Sequence, residues 1–320
     1  MSSAPTIDSV HHPATGTWQY IVADPKTHNA VIIDTVLDFD AATQTISTGN
    51  ADSLVSSIKE KGYNIVRILE THAHADHLTA SAYLQQVLGG VQGSKPPICI
   101  GKRITQVQKT FGEKYGVPAS ELENAFDHLF EDDEVFQIGE LEATVVHLPG
   151  HTPDHVGYMI GGKFHTQQNL QSIENPPTNT TPQTDNIFCG DSVFNADLGV
   201  ARCDFPGGSA KALYQSTRKL LSLPDHVRVW TGHDYPSATR KEAVPFMRVD
   251  KQRERNGYLQ ADLTEDGFLE KRTQRDAGLN EPKLLHQSLQ VNIRGGRLPK
   301  PSAQGMRFLV LPLRVGDAKW

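Results

Sequence analysis

The sequence predicts an α/β protein in which strands and helices alternate along one large domain, followed by a helical extension. Short β-branched runs such as 64–70 alternate with segments of helical apolar spacing such as 51–61. The chain of 320 residues is long for one domain and short for three. With 38% hydrophobic and 21% charged residues it can form a sizeable core, which excludes global disorder. We therefore expect a first domain at 1–245 and a helical extension with a tail at 246–320.

The elements follow in chain order from these patterns. Apolar, largely β-branched or aromatic runs predict strands at 18–23, 30–34, 64–70, 97–100, 134–138, 142–148, 156–160, 187–189, 227–230 and 307–313. Helical spacing or charged, helix-forming composition predicts helices at 51–61, 77–88, 102–115, 209–222, 248–259, 265–275 and 284–294. Between two strands, the segment at about 165–185 is rich in Gln, Asn, Thr and Pro, which predicts a polar surface insertion.

Charge, hydropathy and cysteine content exclude several classes of function. The net charge of −6, without a basic cluster, argues against nucleic acid or an anionic membrane as the main partner. No apolar run approaches the roughly 18 residues that a membrane-spanning helix needs. The first thirty residues contain no apolar signal core and no Arg, so we expect a cytoplasmic protein and leave a mitochondrial location open. Cys99, Cys189 and Cys203 form no CxxC pair, which excludes a disulfide framework and a structural cysteine–zinc site.

The histidines carry the strongest signal, and three of the 14 lie in the motif HAHADH at 72–77, directly after a predicted strand. His72 and His74 are two residues apart, so in extended backbone their side chains point the same way. Asp76 and His77 fall at the start of the next predicted helix, where the chain turns. Imidazole and carboxylate are ligands of Zn, Fe and Mn, and burying such a cluster without a metal is costly. The motif therefore predicts a metal site.

Three later residues follow a common pattern of short apolar run, glycine and metal-competent side chain: His151, Asp191 and His233. Glycine lets the backbone turn sharply at the edge of a sheet and approach its neighbours closely. Side chains gathered at the ends of strands are supported by rigid elements. We therefore expect these three residues to join the cluster at 72–77.

The motifs HxHxDH, PGH, GD and GHD, in this order between Trp18 and Tyr235, resemble the metallo-β-lactamase superfamily. The resemblance implies an αββα sandwich with two neighbouring metal positions. The residues that it implies around the first position are His72, His74, His151 and Asp191. Those that it implies around the second are Asp76, His77, Asp191 and His233.

Longer segments, PGHTPDHVGY and GDSVFNADLGVARCDF, resemble the persulfide dioxygenases and related bacterial β-lactamase-like hydrolases of sulfide metabolism. The C-terminal SLQVNIRGGRLP resembles the tail of the latter group. This resemblance implies one Fe²⁺ per chain, held by His72, His151 and Asp191 as a facial triad with open positions. It also implies that the enzyme oxidises glutathione persulfide with O₂ to sulfite and glutathione. Arg202 and Tyr235 are the candidate residues for binding this small-molecule substrate.

Asp76 and His77 are the candidate catalytic residues, and with His74 and His233 they would orient the iron ligands. The alternative function is hydrolysis, because the complete ligand set also suits two Zn²⁺ ions bridged by hydroxide, with Asp191 contacting both. The substrate of such a hydrolase would be a lactam, a lactone or a glutathione thioester. The extension after residue 245 is expected to pack over the site or across a homodimer.

The chain departs from the dioxygenase pattern near the proposed substrate-binding arginine. Cys203 stands where the family often has Thr, and Val200 where a Cys is common. Cys203 could react with a persulfide, but a small buried residue is the better interpretation of a thiol without an evident activator. Arg202 could instead pair with Asp204, and Tyr235 could be a half-buried aromatic residue at a strand end.

Overall fold

The structure, a computed structural model, describes residues 4–161, 186–236, 240–313 and 315–316. Its strands are β1 (Thr6–His12), β2 (Thr17–Ala23), β3 (Asn29–Ile33), β4 (Asp38–Asp40), β5 (Thr45–Ser47), β6 (Asn64–Leu69), β7 (Ile98–Gly101), β8 (His128–Phe130), β9 (Val135–Ile138), β10 (Leu141–His147), β11 (Val156–Ile160), β12 (Asn186–Phe188), β13 (Arg228–Trp230) and β14 (Phe246–Arg248). Its helices are α1 (Gly49–Lys61), α2 (Ser81–Gln92), α3 (Ile104–Tyr115), α4 (Ala119–Leu122), α5 (Ala210–Leu221), α6 (Val249–Arg255), α7 (Glu265–Ala277) and α8 (Leu285–Asn292).

Two six-stranded sheets form the centre of the fold. The first has the order β1-β2-β3-β6-β7-β8 and the second β14-β13-β12-β11-β10-β9. In the first sheet β3, β6, β7 and β8 run parallel. In the second only the β12–β13 pair is parallel among the described strands. β2 is buried at every position, as expected for a strand covered on both faces.

The sheets pack face to face through a core that includes Tyr20, Ile33, Tyr158 and Trp230. Helices α1 and α2 cover the outer face of the first sheet with apolar side chains such as Leu54. Helices α5 and α7 cover the outer face of the second sheet in the same way. The arrangement is therefore an αββα sandwich, and the predicted α/β fold class is confirmed.

The C-terminal region packs into the outer layers of this sandwich. β14 pairs with β13 and extends the second sheet. Phe268 of α7 lies in the core beside Leu213 of α5. Leu289 of α8 packs with Phe111 of α3. Side chains from the region after residue 245 thus share cores with both sheets, while the domain boundary at 245 and 246 stays a prediction.

Two sequence predictions differ from the structure. The segment 307–313 was expected to be a strand, but the described residues form no ladder there, and the Gln290 side chain bonds both the backbone N–H and C=O of Val310 instead. The helix expected at 77–88 begins at Ser81, because Leu78 still pairs in extended form with Leu37. Asp76 and His77 consequently lie in a loop, not at the start of a helix.

Several short elements have no signal strong enough to be predicted: β1, β4, β5, β8 and α4. The polar insertion expected at about 165–185 lies outside the described residues. Among the residues that the structure does describe, no helix combines the length and the hydrophobicity needed to cross a bilayer. The expected homodimer and cytoplasmic location stay predictions.

Candidate metal centre

The seven residues predicted as metal ligands come together from both sheets. The first sheet contributes those on the loop after β6: His72, His74, Asp76 and His77. The second sheet contributes one residue after each of β10, β12 and β13: His151, Asp191 and His233. Strand ends and one loop thus bring these seven side chains close together, and their role as metal ligands stays a prediction.

Asp191 lies at the middle of the cluster. Its Oδ2 atom is 3.5 Å from Nε2 of His233, 3.6 Å from Nε2 of His151 and 3.9 Å from Nε2 of His72. The ligand atoms of His72, His151 and Asp191 all lie within 4.8 Å of one another, and all three residues are buried. These residues form a compact group of two imidazoles and one carboxylate.

Asp76 organises the other side of the cluster. Its Oδ2 atom is 3.0 Å from Nδ1 of His77 and 3.2 Å from Nε2 of His233. Ligand atoms of Asp76, His77 and His74 also lie within 4.8 Å of one another. His233 thus contacts both carboxylates and joins the two groups.

Four buried atoms of the cluster have no hydrogen-bond partner among the described residues: His72 Nε2, His74 Nδ1, His77 Nε2 and Asp191 Oδ1. Leaving such atoms unsatisfied in a protein interior is costly and uncommon. Metal bound at the two groups would satisfy the three imidazole nitrogens, and imidazole with carboxylate is a donor set suited to Zn²⁺ or Fe²⁺. The residues therefore fit a metal ion, and the donor set alone does not select which one.

A pair of buried carboxylates fixes the imidazole of His74. Nε2 of His74 lies 3.1 Å from Oδ1 of Asp34 and 3.1 Å from Oε2 of Glu70, which leaves Nδ1 facing the cluster. Burial lowers the pKa of His74, but the charges of these carboxylates and their hydrogen bonds outweigh it and raise the pKa well above its usual value. Asp34, Glu70 and His74 could themselves hold a metal by distance. Because Nε2 of His74 already forms hydrogen bonds with both carboxylates, we interpret Asp34 and Glu70 as residues that hold the imidazole of His74 in place.

The opposite side of the cluster is held by other contacts. Nδ1 of His151 donates to the carbonyl oxygen of Arg202 at 2.8 Å, which leaves Nε2 facing Asp191. The amide N–H of Asp191 donates to Nε2 of His155 at 3.0 Å. Burial, followed by the neighbouring imidazoles, lowers the pKa of His72 and of His155 well below the usual value. A lowered pKa favours the neutral imidazole, which in His72 is the form that can bind a metal and in His155 the form that accepts the N–H of Asp191.

Two glycines permit these close approaches. Gly190 has φ +48°, and a Cβ there would lie 2.6 Å from Oγ1 of Thr71. A Cβ on Gly232 would lie 2.3 Å from Oδ1 of Asp191. Contacts this short do not occur for real Cβ atoms, so the glycines that precede Asp191 and His233 are required by packing.

The sequence patterns do not single out four supporting residues: Asp34, Glu70, Asp154 and Asn292. Asp34 and Glu70 directly follow β3 and β6, so the strand-end rule that found the ligands could have found them. Asp154 accepts the backbone N–H of Ala73 at 2.8 Å. Asn292 comes from α8 and has no local signal in the sequence.

The candidate substrate residues lie beside the cluster. Arg202 donates through Nε and Nη2 to Asp204 and through Nη1 to the carbonyl oxygen of Asn280. Tyr235 is 49% exposed and its ring stacks on His233 at 5.8 Å. Cys203 is buried, and burial raises the pKa of its thiol to about 12, as expected for a small core residue.

Two cavities flank the cluster. One of about 470 Å³ is lined by His77, Leu78, His12 and the hairpin of β4 and β5. The other, of about 140 Å³, is lined by His151, Arg202 and Lys114 among others. Each cavity is lined by one histidine of the cluster, and the larger one has the size of an ordinary ligand pocket.

Comparison with known proteins agrees with this architecture. The metallo-beta-lactamase superfamily model matches residues 13–163. A beta-lactamase hydrolase-like protein from Xylella fastidiosa is 39% identical over 318 residues, which are 99% of this chain and 67% of that protein. The mitochondrial persulfide dioxygenase ETHE1 of Mus musculus is 26% identical over 303 residues, 94% of this chain and 93% of that protein. The crystal structure of ETHE1 from Myxococcus xanthus has a TM-score of 0.66 at 22% identity, covering 91% of this chain and 100% of that chain.

An αββα sandwich with a buried histidine–aspartate cluster at its strand ends defines a metal-dependent enzyme. The chain belongs to the metallo-beta-lactamase superfamily. It spans about two thirds of the Xylella protein and nearly all of the mouse protein. The family and the fold predicted from the motifs are confirmed.

Proposed function

We propose that this protein is a mononuclear non-haem iron dioxygenase that oxidises glutathione persulfide. The observation that carries the proposal is the compact buried group of His72, His151 and Asp191, a two-histidine, one-carboxylate set. Asp76, in contrast, already contacts His77 and His233, so part of the second donor set is occupied by protein partners. The similarity to the mouse persulfide dioxygenase, which extends over nearly the whole chain, supports the same reaction.

In the proposed reaction, the outer sulfur of the persulfide is oxidised to sulfite while O₂ is reduced. One persulfide, one O₂ and one water give glutathione, sulfite and two protons. When bound, ferrous iron would supply open coordination positions at which persulfide sulfur and O₂ can be activated side by side. The chain itself holds the ligand geometry: the Arg202 carbonyl fixes the tautomer of His151, and His155 accepts the amide N–H of Asp191.

The glutathione part of the substrate fits best on the Arg202 side of the cluster. The smaller cavity there is lined by the cations of Arg202 and Lys114, which suit the substrate's carboxylates, together with Asp204 and Glu281. Among the described residues that line the larger cavity there is no Lys or Arg, and Asp38 and Asp40 are present. Binding a carboxylate at Arg202 would compete with Asp204, which now occupies two of its donors.

A dinuclear zinc hydrolase is the second candidate function. Nδ1 of His74 and Nε2 of His77, which have no hydrogen-bond partner in the part of the chain that the structure describes, favour it because a second metal would satisfy both atoms. The Xylella relative bears a hydrolase-like name. In that case Asp191 would contact both ions, the bound water would ionise near neutral pH, and a lactam, a lactone or a glutathione thioester would be cleaved.

Metal content and O₂ uptake together test the proposal. The purified full chain is loaded anaerobically with Fe²⁺ or Zn²⁺, and bound metal is counted by plasma mass spectrometry. We expect about one iron per chain and O₂ consumption that depends on glutathione persulfide. Two zinc ions per chain, hydrolysis of S-lactoylglutathione or a lactam, and no O₂ uptake would overturn the dioxygenase in favour of the hydrolase.

Single variants sharpen this test. His72→Ala removes a ligand in either function and should abolish metal binding. His233→Ala should cripple a dinuclear hydrolase but only weaken a mononuclear oxygenase, because His233 lies outside the two-histidine, one-carboxylate group. His128→Ala is the matched control, because it removes a half-exposed histidine side chain that contacts Glu134. It should leave both metal content and turnover unchanged.

A further inference from the structure

A side chain from the C-terminal helix α8 holds the loop that carries His74 and His77. Nδ2 of Asn292 donates to the carbonyl oxygen of His74 at 2.7 Å and to that of His77 at 2.8 Å. Its Oδ1 accepts the backbone N–H of Thr79 at 2.9 Å. Asn292 is only 3% exposed, so all of these bonds form in the protein interior. One amide therefore satisfies three backbone groups of an irregular loop.

The chemistry of the amide matches this task. Asparagine has two N–H donors and one carbonyl acceptor, and the loop presents two acceptors and one donor. Aspartate would keep the acceptor but place a second oxygen against the carbonyl oxygens of His74 and His77. The two donated bonds bracket Asp76, so they fix the backbone separation between residues 74 and 77.

Packing holds Asn292 in place. Leu289, one turn earlier in α8, lies in a core with Phe111. Nε2 of Gln108 donates to the carbonyl oxygen of Ile293 at 2.9 Å and ties the end of α8 to α3. The chain then turns at Gly296, where a Cβ would lie 2.9 Å from the backbone nitrogen of Ala82. The amide is thus presented by a rigid element and not by a mobile tail.

The two histidines depend on this contact to different degrees. The imidazole of His74 is also fixed by Asp34 and Glu70. The imidazole of His77 bonds Asp76, which lies on the same loop, and its Nε2 is buried without a partner among the described residues. Loss of the Asn292 bonds should therefore displace His77 more than His74.

We propose that Asn292 is a positioning residue that sets the separation of His74 and His77 and thereby the metal affinity of the centre. The inference rests on the metal centre of the proposed function: with one iron, His74 and His77 would orient the ligands, and with two zinc ions they would themselves be ligands. This role gives the helical region after residue 245 a function in the site, because α8 supports the loop that carries His74 and His77.

The test compares Asn292→Ala with Gln108→Ala, which removes a different buried amide that holds the same helix but does not touch the loop. Each full-length apoprotein is titrated with Co²⁺ alone, and the dissociation constant and visible absorption spectrum are recorded with the melting temperature. We expect Asn292→Ala to weaken Co²⁺ binding about 10-fold or more and to change the spectrum, as loss of groups that orient ligands usually does. Gln108→Ala should lower the melting temperature without either change.

Two further variants keep the test decisive. Asn292→Asp should bind Co²⁺ as weakly as Asn292→Ala, because both lack the two donors. Asn292→Ser retains one donor, so its Co²⁺ affinity should lie between that of these two variants and that of the wild type. It replaces Asn292→Ala in the comparison if Asn292→Ala does not fold. Wild-type affinity and spectrum in Asn292→Asp and Asn292→Ser, with only a lower melting temperature, would overturn the positioning role. A wild-type protein that binds no Co²⁺ would instead contradict the metal centre itself.

Discussion

The two sheets supply the candidate metal centre in different ways. The first sheet delivers His72, His74, Asp76 and His77 on one loop without regular structure. The second sheet delivers His151, Asp191 and His233 singly, each a short distance beyond the end of a strand. One half of the site is therefore a long segment that needs external support, and the other half consists of strand ends.

The supports differ accordingly. Side chains distant in sequence hold the loop: Asp154 accepts the N–H of Ala73, and Asn292 bonds the backbone of His74 and His77. In the second sheet backbone groups also take part: Gly232 N–H donates to the carbonyl oxygen of Gly190 at 2.8 Å, and the carbonyl oxygen of Arg202 accepts from His151. Substituting a polar residue that is distant in sequence should therefore perturb the first-sheet half of the site. Adding a methyl group at a glycine should perturb the second-sheet half.

Removing Asp191, the carboxylate that lies between the two halves of the candidate centre, should have the largest effect. In Asp191→Ala, the imidazoles of His72, His151 and His233 lose a carboxylate oxygen that lies within 4 Å of all three. We expect metal affinity to fall by more than the roughly 100-fold that loss of a supporting group can cause. Co²⁺ titration measures this, with Asp225→Ala, at an exposed position, as the control. Wild-type affinity in Asp191→Ala would place the metal elsewhere.

Adding a methyl group at Gly232 should have the next largest effect. A Cβ there would lie 2.3 Å from Oδ1 of Asp191, so Gly232→Ala must displace the carboxylate or the strand end. We expect a stability loss of about 1–3 kcal/mol and up to about 100-fold lower turnover. Gly90→Ala in α2 meets no atom within 4 Å and should be neutral or stabilising by about 0.5–1 kcal/mol. Thermal melts and turnover check both, and equal behaviour of the two variants would contradict the argument.

This comparison also explains what the sequence could predict. The second-sheet residues of the candidate centre were predictable because a short apolar run, a glycine and a polar residue are adjacent in sequence, as at Ile187–Asp191. The loop residues were predictable because they form one motif. Asn292 was not, since its partners lie 213 to 218 residues away and nothing local marks it. The strand expected at 307–313 failed for a related reason: strand propensity describes a segment, whereas a ladder needs a neighbouring backbone.

The smallest of these effects is expected at Glu70, which supports His74 within the first sheet. Glu70→Gln keeps the shape and an acceptor oxygen for Nε2 of His74, but it removes one of two carboxylate charges near that imidazole. Because Asp34 remains at 3.1 Å, metal affinity should fall only about 10-fold, the lower end of the range for groups that orient ligands. Glu60→Gln, on the exposed face of α1, is the matched control for loss of charge.

If Glu70→Gln and Glu60→Gln bind Co²⁺ equally well, Asp34 alone fixes His74, and Glu70 serves only the buried hydroxyls of Thr79 and Ser81. A 10-fold difference between the two would mean that the loop half of the centre depends on the charge of a buried carboxylate as well as on hydrogen-bond geometry.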